Sequence, residues 1–246
     1  MNLQMEKRMG TAVLQDIKQV EEARAQLSLR GLGWKRKKLQ SLLARMHLLR
    51  PAPNIGDELK SWDVLRTANF ALENLKPADP VLDIGAFASE ILIVLHRAGF
   101  SNLTGADLNP ALRSMPYSNR IRYEITDFLK TPFQAASFAM ITAISVIEHG
   151  YQPDKLLGEV GRLLKPGGFF IASFDFWPEK IATDGISMFG MDWSIFSTQE
   201  VHELIDKARS YGLSLPGEVN LETNERPISC LDRHYTFAWL VLKKAA

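Results

Sequence analysis

Val81-Leu82-Asp83-Ile84-Gly85-Ala86-Phe87-Ala88-Ser89-Glu90 reads as a short buried strand, a tight turn and the opening of a helix. Val81, Leu82 and Ile84 form the strand's apolar body. Gly85 has no Cβ and lets backbone come close to a ligand. The following helix is expected from Ala88, with its amide donors and positive dipole end aimed at the same spot. An acid, a glycine and a helix N-terminus therefore converge at the carboxyl end of a strand. Open α/β sheets bind nucleotide-like ligands there.

Downstream of this stretch the pattern alternates. Strands are expected at 80–84, 102–107, 121–126, 137–144 and 168–175, with helical stretches at 88–98, 110–115 and 153–164 between them. That rhythm argues for a parallel sheet covered on both faces. Lys165-Pro166-Gly167-Gly168 is a turn that ends a helix and launches a strand. A loop with Trp177, Pro178 and Trp193, a helix near 198–211 and strands near 213–219 and 234–242 follow. Tyr235 to Leu242 is strongly β-forming.

Upstream, Trp62, Leu65, Ala68, Leu72 and Leu75 share one face of a helix that begins near Ser61 and ends before Pro77. Pro51 to Asp57 is punctuated as a linker. Residues 1 to about 30 read as an exposed helix or a partly disordered arm. Between 30 and 50, Arg30, Lys35, Arg36, Lys37, Lys38, Arg45 and Arg50 meet no acid, and Leu39, Leu42, Leu43, Met46 and Leu49 fall at helical spacing. This is a basic amphipathic helix, either packed on the main domain or in contact with an anionic surface. The expected division is a helical extension and linker over 1–57 and one α/β domain over 58–246.

The composition suits a soluble globular protein: 246 residues, 46% hydrophobic, 23% charged. A net charge of +1 argues against a general polyanion binder, so nucleic acid is not a favoured partner. One cysteine, Cys230, fits a reducing compartment, and neither a membrane-spanning run nor a signal peptide is read, which points to the cytoplasm.

Polar residues recur where the successive strands end. Asp83 and Gly85 follow the first. Asp107 ends the second, 24 residues later, where a carboxylate can accept from both hydroxyls of a ribose. Asp127-Phe128 follows the third, an acceptor beside an apolar face that suits an adenine. Ser145-Val146-Ile147-Glu148-His149 follows the fourth. Three acids in order at the ligand-binding edge form a constellation rather than three separate caps.

With these residues the chain from about 61 to 242 resembles a class I S-adenosylmethionine-dependent methyltransferase, of the type 11 or 12 domain kind. Asp83 to Ser89 resembles that family's Asp-x-Gly-x-Gly-x-Gly loop, and Asp107, Asp127-Phe128 and Leu164-Lys165-Pro166-Gly167-Gly168 match its later motifs in order. The resemblance implies a doubly wound, mostly parallel seven-stranded Rossmann-like sheet whose last strand is antiparallel. It implies S-adenosyl-L-methionine as cofactor. The loop Asp83, Ile84, Gly85 and Ala86 would hold its methionine part, Asp107 and Leu108 the ribose, and Asp127 and Phe128 the adenine, with Ser145 and Val146 completing the wall. Phe87 and Ser89 stand where the family has its second and third glycines. The same absence argues against a dinucleotide fingerprint, and so against an NAD-dependent oxidoreductase.

Methyl transfer is an in-line displacement that needs a held donor, an aligned nucleophile and, for a hydroxyl, a base. Glu148 and His149 are the candidate catalytic residues, since His149 titrates near neutral pH. Ser145 to His149 is similar to the Glu-x-x-Glu-His run of metal-assisted O-methyltransferases. Ser145 replaces its first Glu, and a hydroxyl is a poor ligand for a hard cation, so no metal is expected. No Asn/Asp-Pro-Pro-Tyr/Phe run follows the fourth strand, which argues against a base amine of DNA. The expected acceptor is an oxygen of a small molecule or glycan. Two other readings remain: a macromolecular acceptor, RNA or protein, docked by the 30–50 helix, or a cofactor-binding protein without turnover.

Overall fold

The computed structural model describes residues 10–34 and 55–246. The basic helix expected over 30–50 lies outside these residues from position 35 on, as does most of the linker. Strand β1 (Thr11–Val13) and helix α1 (Ile17–Leu29) come first. After a short 3-10 turn at Glu58–Lys60, α2 (Ser61–Asn74) leads into β2 (Val81–Ile84), α3 (Ile91–Arg97) and β3 (Leu103–Asp107). Then come β4 (Arg122–Ile125), β5 (Phe138–Ile144), α4 (Pro153–Leu163) and β6 (Leu164–Phe176). The remainder comprises β7 (Ser187–Met188), β8 (Met191–Asp192), α5 (Thr198–Arg209), β9 (Leu213–Ser214), β10 (Ile228–Cys230) and β11 (Arg233–Lys244).

The main sheet runs β1-β11-β6-β5-β2-β3-β4, and β9 and β10 also pair with β11. From β6 to β4 every pairing is parallel. β11 enters antiparallel between β6 and β1. The chain builds outward from β2 through β3 to β4 and then returns to the other side of β2 as β5. This reversal opens a crevice at the carboxyl ends of β2 and β5. The buried runs of β2 (Val81, Leu82) and β5 (Met140, Ile141, Ala143) are apolar on both faces because helices cover both.

Those helices make two cores. α1, α2 and α3 bury Leu27, Leu65, Ala68 and Ile91 to Leu95 on one face, and α4 and α5 bury Leu157, Val160, Leu204 and Ala208 on the other. α2 is pinned to the sheet by the Trp239 indole, which donates to Thr67 Oγ1 at 3.0 Å, and by Phe70 edge-on to Phe169.

The described part of the amino-terminal segment, expected as an exposed helix or a partly disordered arm, joins the main sheet and core instead. Thr11, Ala12 and Val13 are buried and pair with Leu240, Trp239 and Ala238. Helix α1, capped by the Asp16 carboxylate accepting from the Gln19 amide, packs on α2. A three-residue edge strand is too short to show a period, and its partner lies at the far end of the chain. The strand expected over 213–219 shortens to Leu213–Ser214. Among the described residues no helix is long and apolar enough to cross a membrane.

Candidate active site

The loop after β2 is held from two sides. Gly85 takes a left-handed φ of +69°, and a Cβ there would meet Val146 Cγ2 at 2.4 Å. The glycine is therefore required by contact with the turn after β5 as well as by its backbone. The Ala86 amide donates to the Ala106 carbonyl at 3.1 Å, and the Phe87 amide donates to Asp107 Oδ2 at 2.9 Å. With both amides turned toward β3, and Ala88 at φ +62°, the helix cannot begin at Ala88 as expected. It begins at Ile91, behind Glu90, which is almost fully buried and takes both its oxygens to Arg24 of α1 at 3.0 Å.

The three strand-end acids sit in different settings. Asp83 is 1% exposed and lies under the loop, where Thr142 Oγ1 donates to its Oδ1 at 2.7 Å and no hydrogen bond of normal geometry reaches its Oδ2. Burial pushes its carboxyl up to about 7, against the pull of the Thr142 and Ser89 hydroxyls. Ile84 and Ala86 are equally buried, so Gly85 and the backbone form the loop's open face. Asp107 is half-buried. Its two oxygens accept from the amides of Phe87 and, at 2.8 Å, Asn109. Leu108 beside it is largely exposed. Asp127 is exposed and accepts from the Leu129 amide at 2.8 Å, next to half-buried Phe128.

The turn after β5 starts with Ser145 at φ +53°, its amide donating to the Ser173 carbonyl and its Oγ buried without a partner. His149 is half-buried, packs edge-on to Phe189 with centroids 5.1 Å apart, and has a buried, unbonded Nδ1. Burial lowers its pKa and favours the neutral ring, against the nearby Asp175 charge. Glu148 turns inward. It is 1% exposed, neither carboxyl oxygen has a partner, and burial followed by the Asp175 charge raises its pKa well above the usual range.

The structure brings three groups to Glu148 that the sequence pattern does not single out as a set. Asp63, in the first turn of α2, is fully buried with both oxygens unbonded, and desolvation lifts it to about 7. Asp175, near the end of β6, accepts from the Trp193 indole at 2.8 Å. Lys60 Nζ lies 3.7 Å from Asp175 Oδ1 and 3.3 Å above the Phe237 ring. Helical periodicity puts Asp63 opposite the face that begins at Trp62, where a solvated acid is expected, so the sequence carries no signal for its burial.

Three further basic residues, His234, Arg226 and Arg233, are engaged elsewhere. His234 Nδ1 pairs with Ser229 Oγ at 2.7 Å in an exposed hairpin. Arg226 stacks 4.0 Å over Trp177, and Arg233 Nε donates to the Ala182 carbonyl.

Residues 82–172 match the family described as Methyltransferase domain. Among curated proteins, the eEF1A lysine and N-terminal methyltransferase of Danio rerio is 30% identical over 109 residues, 39% of this chain and 16% of that protein. The sterol 4-C-methyltransferase strm-1 of Caenorhabditis elegans is 31% identical over 98 residues, 37% of this chain and 29% of that one. The chain thus spans less than a third of the length of these relatives. Among solved structures, the geranyl diphosphate C-methyltransferase of Streptomyces coelicolor A3(2) superposes with a TM-score of 0.54 at 16% identity, covering 86% of this chain and all of that one. A methyltransferase from Mesorhizobium loti gives 0.54 at 16% identity, over 75% and 97% of the two chains. These likenesses identify the fold.

Proposed function

We propose that this chain, a member of the class I S-adenosylmethionine-dependent methyltransferases by its fold and by the domain match at residues 82–172, transfers a methyl group to an oxygen of a small molecule or glycan. The observation that carries this reading is the Asp107 carboxylate. It is fixed at the end of β3 by the Phe87 and Asn109 amides, and a carboxylate has about four acceptor sites, so two amides leave room for a pair of ribose hydroxyls. Phe87, which departs from the family's glycines, orients this acid through its backbone.

The cofactor fits other features of the crevice. Gly85 lets the loop close on Val146 and keeps a bare backbone on the loop's open face, and the unbonded Ser145 Oγ supplies a polar atom on the opposite wall. S-adenosylmethionine, when bound, supplies an electrophilic methyl group on a sulfonium. The chain's residues do the rest. Asp107 and Leu108 would take the ribose, Asp127 and Phe128 the adenine, and the 83–86 loop with Ser145 and Val146 the methionine end. His149, held neutral by burial, would take the hydroxyl proton at a ring nitrogen as the acceptor oxygen attacks in line. Glu148 stands next to it on the acceptor side.

Titration calorimetry with S-adenosylhomocysteine tests the reading. Saturable one-to-one binding is expected, and no binding at millimolar ligand would overturn it.

A further inference from the structure

We infer that the buried carboxyls of Asp63, Glu148 and Asp175 hold an ammonium group of the acceptor, which makes the acceptor a hydroxyl-bearing amine, an amino sugar or amino alcohol. The inference rests on the methyl-transfer reading above and narrows its substrate.

Three carboxyls come from three separate elements, α2, the turn after β5, and β6, and are 0%, 1% and 4% exposed. Asp175 is satisfied by the Trp193 indole and faced by Lys60. Glu148 and Asp63 are not: all four of their oxygens are buried and none accepts a hydrogen bond of normal geometry, the Ser173 hydroxyl being the donor beside Asp63. Native proteins rarely leave buried polar atoms without partners, because each costs desolvation that nothing returns. Four such atoms on two neighbouring acids call for a donor-rich partner.

The partner's chemistry follows from what is already there. Lys60 is the cation that acts on both Glu148 and Asp63, and it is shared with Asp175 and the Phe237 ring. Once the carboxyls ionise, one lysine against three carboxylates leaves a deficit of positive charge. Water would supply hydrogens without charge. Among the described residues no group of His, Cys, Asp and Glu has the arrangement of a metal site. An ammonium brings three donors and one charge. The wall is also suited to a cation, because Trp193, Tyr235 and Phe237 form a continuous edge-to-face run beside Asp175, and ring faces attract positive charge. The segment 177–196 roofs the cluster. Its Ser194 amide donates to the Glu148 carbonyl, the Gly150 amide donates to the Asp192 carbonyl, and its Phe189 packs on His149. One roof therefore covers the proposed base and the acid cluster together, placing a hydroxyl and an amine of one molecule under the same cover.

The other titratable or charged groups facing the cluster are Asp57, Cys230, Tyr235 and His149. Burial raises Glu148 and Asp63 toward their protonated forms in the free protein, and both must ionise to hold an ammonium, so binding releases protons.

The test is calorimetry on the full chain saturated with S-adenosylhomocysteine. Ethanolamine is compared with ethylene glycol, and glucosamine with glucose, at neutral pH in buffers of different ionisation enthalpy. We expect each amine to bind at least about tenfold tighter than its neutral counterpart. About one proton should be released per amine bound. Glu148→Gln and Asp63→Asn should abolish the preference while S-adenosylhomocysteine affinity stays within about twofold. Equal binding of amine and neutral probe, or a preference that survives both substitutions, overturns the inference and leaves the methyl-transfer reading standing. Absence of proton release in the wild-type chain overturns it without recourse to any variant. Failure to bind S-adenosylhomocysteine overturns both.

Discussion

The two halves of the crevice treat their acids in opposite ways. On the β3–β4 side, Asp107 and Asp127 reach solvent and are braced by backbone amides, from their own turns and, for Asp107, from the loop after β2. On the β5–β6 side, Glu148 and Asp63 are dry and unbraced, with one lysine among three carboxyls. A braced, wet carboxylate is a finished acceptor that waits for hydroxyls or an amine hydrogen. A dry, unbraced one is unfinished, and its energy depends on what comes to complete it. In the proposed reading the first kind takes a standard part of the cofactor. The second kind discriminates among substrates.

The contrast can be broken experimentally. The largest effect is expected at His149, where His149→Ala should lower turnover by roughly 10²–10⁴-fold, the usual contribution of a general base. Cofactor affinity should change little. Unchanged single-turnover rates would make His149 structural. In the wild type the activity should fall toward acid only below the ordinary histidine range, since burial holds the ring neutral.

Next comes Asp63. Its folded pKa of about 7 lies above the unfolded value of 3.8, so the native state holds an extra proton between these limits. Stability is full below about pH 4 and falls as pH rises toward 7. Asp83 contributes in the same direction through the same window. Asp63→Asn should remove part of this slope and stabilise the free protein above neutral pH by about 2–4 kcal/mol, read from urea denaturation at pH 5 and 8. A slope identical to wild type would mean that Asp63 is not dry.

On the braced side the effects should be smaller and confined to the donor. Asp107→Ala should weaken S-adenosylhomocysteine binding by roughly 1–3 kcal/mol, the scale of charged hydrogen bonds. Asp127→Ala, at an exposed carboxylate, should cost about 0.5–1.5 kcal/mol. Wild-type affinity in Asp107→Ala would sink the ribose assignment. A larger loss at Asp127 than at Asp107 would reverse the ranking by exposure.

The braced half was also the legible half. Each of its acids follows a strand whose apolar run is visible in sequence, so order along the chain gives order along the sheet edge. Gly85 was legible for the same reason, although its contact with Val146, 61 residues on, was not. The unbraced half is assembled from α2, β6 and the β5 turn, pieces that sequence spacing cannot bring together. Asp63 falls opposite its helix's apolar stripe, where periodicity predicts a solvated acid. The start of α3 was misjudged because the amides of Ala86 and Phe87 turn toward β3, a tertiary choice that local propensity does not contain. Strand β1 was missed because three residues carry no period.

That strand has a consequence for how the chain comes to be folded. β11 lies inside the sheet, flanked by β6 and by β1, and it follows both in the chain, so the segment made after them is the one that joins the two edges. Until residues 233–244 emerge, β1 has no ladder to enter and β6 presents an open edge thirteen residues long. The nascent chain must keep both edges unpaired until then, an exposure to wrong partners that ends when β11 slots between them.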